Sequence, residues 1–466
     1  MTYQPITPEL VSELRSVCGE NHVFTDQDIL TDYSHDYTED LRFHPEVVVK
    51  PRTAEEISAI LKICNRELIP ATPRGAGTGL SGGALPVHGG IIISMERFNS
   101  ILEIDERNLQ ATVEPGVINQ IFRDAVEAKG LFYPPDPASR GSCFLGGNLA
   151  ECAGGPKAVK YGVTKDYVLN CEVVLPTGEI IWTGAKVLKN STGYNLTQLM
   201  VGSEGTLGII TKIVFRLVPL PRHDMLLLVP FTSAEKACEA VSAVFRSGIT
   251  PSAMEFMERD AIDFVRKYVE VSLEIPDDIK AHLIIEVDGN DPDALFKDCE
   301  KITEVMYEYG ASDVLFADSA QQKAELWKMR RATGEAVKSH SIYKEEDTVV
   351  PRAELPKLLK GVKQIGEKYG FRSVCYGHAG DGNLHVNIIR ESMSDDAWNN
   401  EVPKGIREIF ELCVSLGGTI SGEHGIGLVQ KDYMDIAFND TQMNLQKGIK
   451  KLFDPNLILN PGKMFK

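Results

Sequence analysis

The sequence predicts an α+β protein of more than one domain, and three observations carry that expectation. At 466 residues the chain is too long for one ordinary core. From Pro45 it runs in short β-branched stretches punctuated by glycine and proline, with amphipathic helical stretches between them. Beyond Pro219-Leu220-Pro221 the texture becomes strand, helix, strand with longer helices, which predicts an antiparallel sheet covered by helices. The expected division is an N-terminal helical segment over 1–41, a first domain over 42–220, and a second domain over 221–466 whose C-terminal tail closes on the first.

Each element has its own signal. The first forty residues read as helical and polar, opened by Thr7-Pro8-Glu9. Val47-Val48-Val49 predicts a strand. Thr53 to Arg66 reads as an amphipathic helix, with Thr53 as N-cap and Glu56 in the capping-box position. Ile91 to Ile93, Gln110 to Glu114 and Cys171 to Leu175 predict strands, and Gly205 to Pro219 a β-rich segment. In the second region Met225 to Val229 and His282 to Val287 predict strands. Ala234 to Ser247, Pro292 to Tyr309, Ala320 to His340 and Arg407 to Leu416 predict helices, and the tail from Phe453 to Lys463 is extended and proline-punctuated.

Composition narrows the function classes. Hydrophobic residues at 43% and charged residues at 25% are those of a globular protein. A formal net charge of −17 argues against a nucleic-acid backbone as partner. The 9 cysteines include no Cys-x-x-Cys pair, which fits free thiols in a reducing compartment and speaks against a built-in iron–sulfur cluster. The N-terminus has neither the basic start nor the apolar core of a signal peptide, and no apolar run approaches the ~18–20 residues of a membrane span. A cytoplasmic protein that is not integral to the membrane is expected.

The sharpest chemical signal is Tyr376-Gly377-His378-Ala379-Gly380-Asp381-Gly382-Asn383-Leu384-His385, answered later by Gly422-Glu423-His424-Gly425. The Gly-Asp-Gly turn between two strand patterns reads as a hairpin. If 378 opposes 383, His385 is the diagonal neighbour of His378 on the same face, with Cβ atoms roughly 7–8 Å apart. Two imidazoles at that separation can converge on one ion, and His378, His385 and Glu423 form a common ligand set for an open divalent metal site. The alternative is a polar turn with one satisfied core histidine.

Three glycine-rich segments stand in the first region: Pro73-Arg74-Gly75-Ala76-Gly77-Thr78-Gly79 running on to Gly83, Gly146-Gly147-Asn148 running on to Gly155, and Gly202 to Gly208. Closely spaced glycines let main-chain N–H groups converge on phosphate oxygens. Gly77 to Gly82 matches G-x-G-x-x-G, but Pro86 and Gly89-Gly90 forbid the helix that a Rossmann loop must open. The three loops favour a long diphosphate-bearing ligand held mainly by main chain.

Taken in order with Val49-Lys50-Pro51 and Pro134-Pro135-Asp136-Pro137, these segments resemble the FAD-binding domain of the vanillyl-alcohol oxidase/para-cresol methylhydroxylase flavoproteins. The two histidine motifs and the tail Leu459-Asn460-Pro461-Gly462-Lys463 make the chain similar to the D-lactate dehydrogenase and glycolate oxidase branch, near the D-2-hydroxyglutarate dehydrogenases. The resemblance spans about residues 40 to 466. It implies a two-subdomain FAD-binding domain followed by an antiparallel-sheet cap domain. By position it implies that Pro73, Arg74, Gly75, Ala76, Gly77, Thr78 and Gly79 wrap the diphosphate, and that Pro135, Asp136 and Ser139 lie along the flavin. Gly146, Gly147, Asn148 and Gly155 would also line the FAD, with Glu204, Gly205 and Ile210 near its adenine–ribose half. Some relatives attach FAD through a histidine about where Thr78 stands, so non-covalent FAD is expected. Cys143 reads as an ordinary small buried residue.

The resemblance also implies oxidation of a D-2-hydroxy acid to a 2-oxo acid. A divalent ion (Zn, Fe or Mn) on His378, His385 and Glu423 would chelate the hydroxyl and one carboxylate oxygen. His424 is the expected base, and flavin N5 the hydride acceptor. Arg330 is the candidate for the substrate carboxylate, with Arg331 competing. Lys344 aligns loosely with a family substrate lysine, and Asn383 either bonds substrate or shapes the turn. The lack of a firm second cation favours D-lactate; glycolate, D-2-hydroxyglutarate or a non-catalytic FAD-binding subunit of a larger complex are the alternatives. An electron-accepting protein, an electron-transferring flavoprotein by preference, is the expected partner.

Overall fold

A computed structural model describes residues 2–38, 41–270 and 275–466. Met1, Glu39 and Asp40 of the N-terminal segment, and 271–274 of the second region, lie outside the described residues. The chain divides into two compact units: 1–154 with 163–220 and 423–466, and 155–162 with 221–422.

The first unit contains two sheets. In one, Val47–Val49, Ile91–Ser94 and Ala71–Arg74 run parallel, and Val23–Phe24 adds antiparallel to Val47–Val49. The Val-Val-Val and Ile-Ile-Ile runs are buried throughout, as expected of parallel strands covered on both faces. The helix Ala54–Glu67 lies against this sheet through Ile57, Ile60, Leu61 and Cys64. Thr53 caps it, its Oγ1 accepting from Glu56 N at 3.2 Å, while the Glu56 carboxylate reaches Arg52 N at 2.7 Å. Thr53→Ala is expected to cost about 1 kcal/mol, read as a shift of the denaturant midpoint with unchanged slope. The second sheet is antiparallel, in the order Ile101–Asp105, Gln110–Val113, Ile209–Arg216, Val168–Val174, Ile180–Trp182. Phe122, Tyr133 and Phe215 meet in its core with ring centroids 4.7–5.6 Å apart. The tail returns to the first sheet, where Ala71 N donates to Ile458 O and Asn460 N to Ala71 O at 2.8 and 2.7 Å.

The second unit is built on an antiparallel sheet of seven strands among the described residues. Their order is Leu315–Phe316, His223–Phe231, Ala281–Gly289, Ala253–Glu258, Arg372–His378, Asn383–Ile389, Tyr343–Val349. Helices cover it, among them Ala234–Arg246, Arg259–Tyr268, Pro292–Glu308 and Leu355–Tyr369.

Several local expectations need correction. The N-terminal forty residues are not helical throughout: Pro8–Cys18 and Gln27–Asp32 are helices, but Val23–Phe24 is a strand drawn into the sheet edge. The stretch from Ala320 to His340 is two helices, Ala320–Arg331 and Thr333–His340. Thr333 Oγ1 donates toward the carbonyls of Met329 and Arg330 at 3.2 and 3.0 Å, and Gly334 follows, a local competition that breaks the helical ladder. The helix Asp440–Phe453 was not expected, although Asn439 and Gln442 form its capping box.

Candidate active site

The histidine turn joins the fifth and sixth strands in the order of the second unit's sheet. His378 closes Arg372–His378 opposite Asn383, and Tyr376 faces His385, so the two histidines stand diagonally on one face. Their ring centroids are 5.3 Å apart at 80°. Gly382 takes φ +89°, and a side chain there would run into the Val350 carbonyl, so the turn requires glycine.

Carboxylates stand behind both rings. Glu255, from Ala253–Glu258, is fully buried with both oxygens 2.9 Å from His378 Nδ1. Its Oε2 is also 2.7 Å from Arg330 Nε, an ion pair. Burial alone would raise the Glu255 carboxyl, but the facing His378 and Arg330 outweigh it and hold the group below the ordinary carboxylate range. His385 Nδ1 lies 3.6 Å from Glu345 and 3.7 Å from Asp347. Facing His378, a carboxylate that only accepts fixes the proton on Nδ1 and leaves Nε2 unprotonated, whereas His385 Nδ1 lies beyond hydrogen-bonding distance of both its carboxylates. That donor arrangement suits a divalent cation.

Asp347 is a second organiser. Fully buried, it accepts from Asn383 Nδ2 at 2.7 Å, Ser421 Oγ at 3.1 Å and Gly422 N at 2.8 Å. Asn383 Nδ2 also donates to Thr348 O at 2.9 Å, so that amide nitrogen is committed to shaping the turn. Glu255, Glu345 and Asp347 were not singled out from sequence; their signal is the presence of acidic residues inside strand-length segments, Ala253–Glu258 and Tyr343–Val349.

Arg330 is buried to 6% exposure, its guanidinium 5.2 Å from the Tyr376 ring centroid. Its Nη2 is enclosed and, like Nε, makes no hydrogen bond among the described residues, the Nε contact to Glu255 being an ion pair. Arg331 instead stacks over Trp327 at 4.9 Å. Lys344 is not brought to this group: strand alternation turns it to the face opposite Glu345 and Asp347, its Nζ 5.3 Å from the Trp398 ring centroid. Glu423 and His424 belong to the first unit, which the chain enters at the Gly422–Glu423 bond. There Glu423 Oε2 accepts from Gly154 N at 3.1 Å, at the end of the second glycine loop.

The first unit carries the glycine loops. Arg74 ends Ala71–Arg74, and Gly77 takes φ +72°, where a side chain would overlap the Arg74 guanidinium. Main-chain N–H groups of residues 76 through 83 have no hydrogen-bond partner among the described residues. Arg74 Nη2 donates to His35 O at 2.8 Å, while its enclosed Nη1 has no partner among them. A row of unspent donors beside a buried cation fits a diphosphate. Gly146 N donates to Pro115 O at 2.8 Å, and space is open at Gly79 and Gly147. Asn148 is buried, and Gly155, at φ +109°, begins the short stretch grouped with the second unit.

The remaining predicted positions divide. Asp136 is buried 3.4 Å from Arg123 Nη1 and 3.3 Å from Arg140 Nη1, Pro135 O accepts from Asn119 Nδ2 at 3.2 Å, and Ser139 O accepts from the N–H groups of Ser142 and Cys143. Ile210 is buried opposite Val173. Glu204 takes a left-handed φ of 51°, and its carboxylate accepts from Ile426 N at 2.8 Å and Gly427 N at 2.6 Å. Burial pushes it up to about 7. Its side chain therefore fastens the loop after His424, and Gly205 sits where a side chain would meet Pro73. Cys143 is buried and its thiol is pushed up by burial, which makes it unreactive.

Known proteins resemble the chain over nearly its whole length. Residues 45–184 match the family described as FAD binding domain, and residues 220–464 match FAD linked oxidases, C-terminal domain. The fold is that of para-cresol methylhydroxylase with substrate bound, at a TM-score of 0.80 and 19% identity over 99% of this chain and 98% of that one. The chain is thus an FAD-linked oxidoreductase with the vanillyl-alcohol oxidase-type fold. It is 39% identical to a D-lactate dehydrogenase of Anaerostipes hadrus over 99% of this chain and 98% of the relative. It is 40% identical to glycolate oxidase subunit GlcD of Bacillus subtilis (strain 168), over 99% and 97%. The chain belongs to the D-lactate dehydrogenase/glycolate oxidase GlcD family. Among the described residues no helix is long and apolar enough to cross a membrane.

Proposed function

We propose that the chain oxidises a D-2-hydroxy acid, D-lactate by preference, to the 2-oxo acid and passes the electrons to a partner protein such as an electron-transferring flavoprotein. The observation that carries this reading is the buried Glu255 carboxylate set against both His378 and the Arg330 guanidinium, with His385 diagonal to His378 on the same sheet face. FAD, held non-covalently on the glycine loops, would supply the hydride acceptor. A divalent ion on His378, His385 and Glu423 would supply Lewis acidity toward the substrate hydroxyl. The histidine pair, and the single peptide bond separating Glu423 from the Asp347-held Gly422, support that ligand set. Arg330, with Nε taken by Glu255, keeps its outer nitrogens for the substrate carboxylate. His424, beside Glu423, takes the hydroxyl proton.

The position of Lys344 on the opposite face supports a monocarboxylate, because a second carboxylate would need another cation. A relative named D-2-hydroxyglutarate dehydrogenase, from Stutzerimonas stutzeri (strain A1501), is 32% identical over 98% of this chain. Anaerobic titration separates the substrates: D-lactate should bleach the flavin at lower concentration than glycolate or D-2-hydroxyglutarate. No bleaching by any of the three would overturn the proposal.

A further inference from the structure

We propose that Glu255 is the positioning residue that couples the metal-binding end of the site to its substrate-binding end. This inference rests on the function proposed above and adds a residue to it. The register of neighbouring strands, Phe256 with Gly377 and Met257 with Tyr376, places Glu255 opposite His378. Glu255 has no exposed surface. Its two oxygens are both 2.9 Å from His378 Nδ1, and one is 2.7 Å from Arg330 Nε. One buried carboxylate therefore serves two groups carried by different elements, a strand end and the helix Ala320–Arg331.

The chemistry of that arrangement is asymmetric. A carboxylate presents only acceptors, so it takes the hydrogen bond from Nδ1–H and pairs with the guanidinium at Nε at once. It thereby fixes the His378 tautomer that leaves Nε2 unprotonated, and it holds the guanidinium by its inner nitrogen. Glutamine has nearly the same shape but one acceptor and one amide donor. In Glu255→Gln the amide NH₂ lies against His378 Nδ1 whichever way the side chain is turned, and in one orientation it faces Arg330 Nε as well. A donor there competes with Nδ1–H and favours the tautomer protonated on Nε2, which withdraws that lone pair from a metal, and the neutral amide no longer pairs with the guanidinium charge. The structure leaves no water-accessible escape for Glu255, so the conflict is resolved inside the site.

The test compares the Glu255→Gln and Glu255→Asp holoenzymes with wild type, using FAD absorbance per chain to show that each is folded. Glu255→Gln should lower the affinity for added Zn²⁺ by about 10–100-fold and also raise KM for D-lactate. Glu255→Asp, which keeps two acceptors, should restore part of both. Glu255→Gln with wild-type zinc affinity, or with wild-type KM, overturns the coupling. Imidazole ¹⁵N shifts of His378 in histidine-labelled, metal-free protein are read in parallel, assigned by the His378→Asn variant. Wild type should show Nδ1 protonated and Nε2 unprotonated, and Glu255→Gln should lose that pattern. An unchanged pattern overturns the proposal even if the wild-type protein proves to bind no metal or oxidise no 2-hydroxy acid, so the two failures remain distinct.

Discussion

Mixed anaerobically with D-lactate, His424→Ala should reduce its flavin about 10²–10⁴-fold more slowly than wild type, the range of a lost general base. The bound-FAD spectrum should be unchanged. Its neighbour Glu423 is tied to Gly154 N, and the following residues Ile426 and Gly427 are tied to Glu204, so the loop keeps its course without the imidazole. Stopped-flow absorbance measures the effect directly. Normal reduction by His424→Ala removes the residue from the proton transfer.

Metal removal should have an effect of similar size. Dialysis against a chelator is expected to suppress flavin reduction on the order of a thousand-fold, the scale of several kcal/mol of charge stabilisation. FAD should stay bound, since the loops with unspent N–H donors belong to the first unit and the histidine pair to the second. Re-addition of Zn²⁺, Fe²⁺ or Mn²⁺ in turn identifies the ion. His378→Ala should reproduce the loss and resist rescue, because it removes one imidazole of the proposed ligand set while Glu255 keeps its ion pair with Arg330. A purified, active enzyme with no bound metal would sink the assignment.

Much of the fold is legible locally. The β-branched triplets Val47 to Val49 and Ile91 to Ile93, the Thr53 cap and the Gly382 turn each have a chemical reason visible within a few residues. Among the strands that escaped are Ala253–Glu258 and Tyr343–Val349. Both carry acidic residues that a one-dimensional reading assigns to solvent. They are buried because cations and imidazoles from other strands and helices meet them there. These two missed strands supply the carboxylates Glu255, Glu345 and Asp347 of the site.

The same division applies to individual residues. Arg330 and Arg331 are equivalent as adjacent letters, and only the helix's orientation sends one into Glu255 and the other over Trp327. Lys344 differs from Glu345 by one position, yet strand alternation sends them to opposite faces. Glu204 reads as a ligand-lining residue, but its carboxylate closes on the N–H groups of a loop more than two hundred residues away.

By itself the sequence determined the α+β class, the glycine loops, the histidine hairpin and its pairing, and the family resemblance, because each rests on short-range spacing or on motif order. Only the tertiary structure decided which charges are buried together. Desolvation and hydrogen-bond satisfaction depend on groups distant in the chain, so Glu255, Glu345 and Asp347 acquire their roles only when the strands and helices assemble.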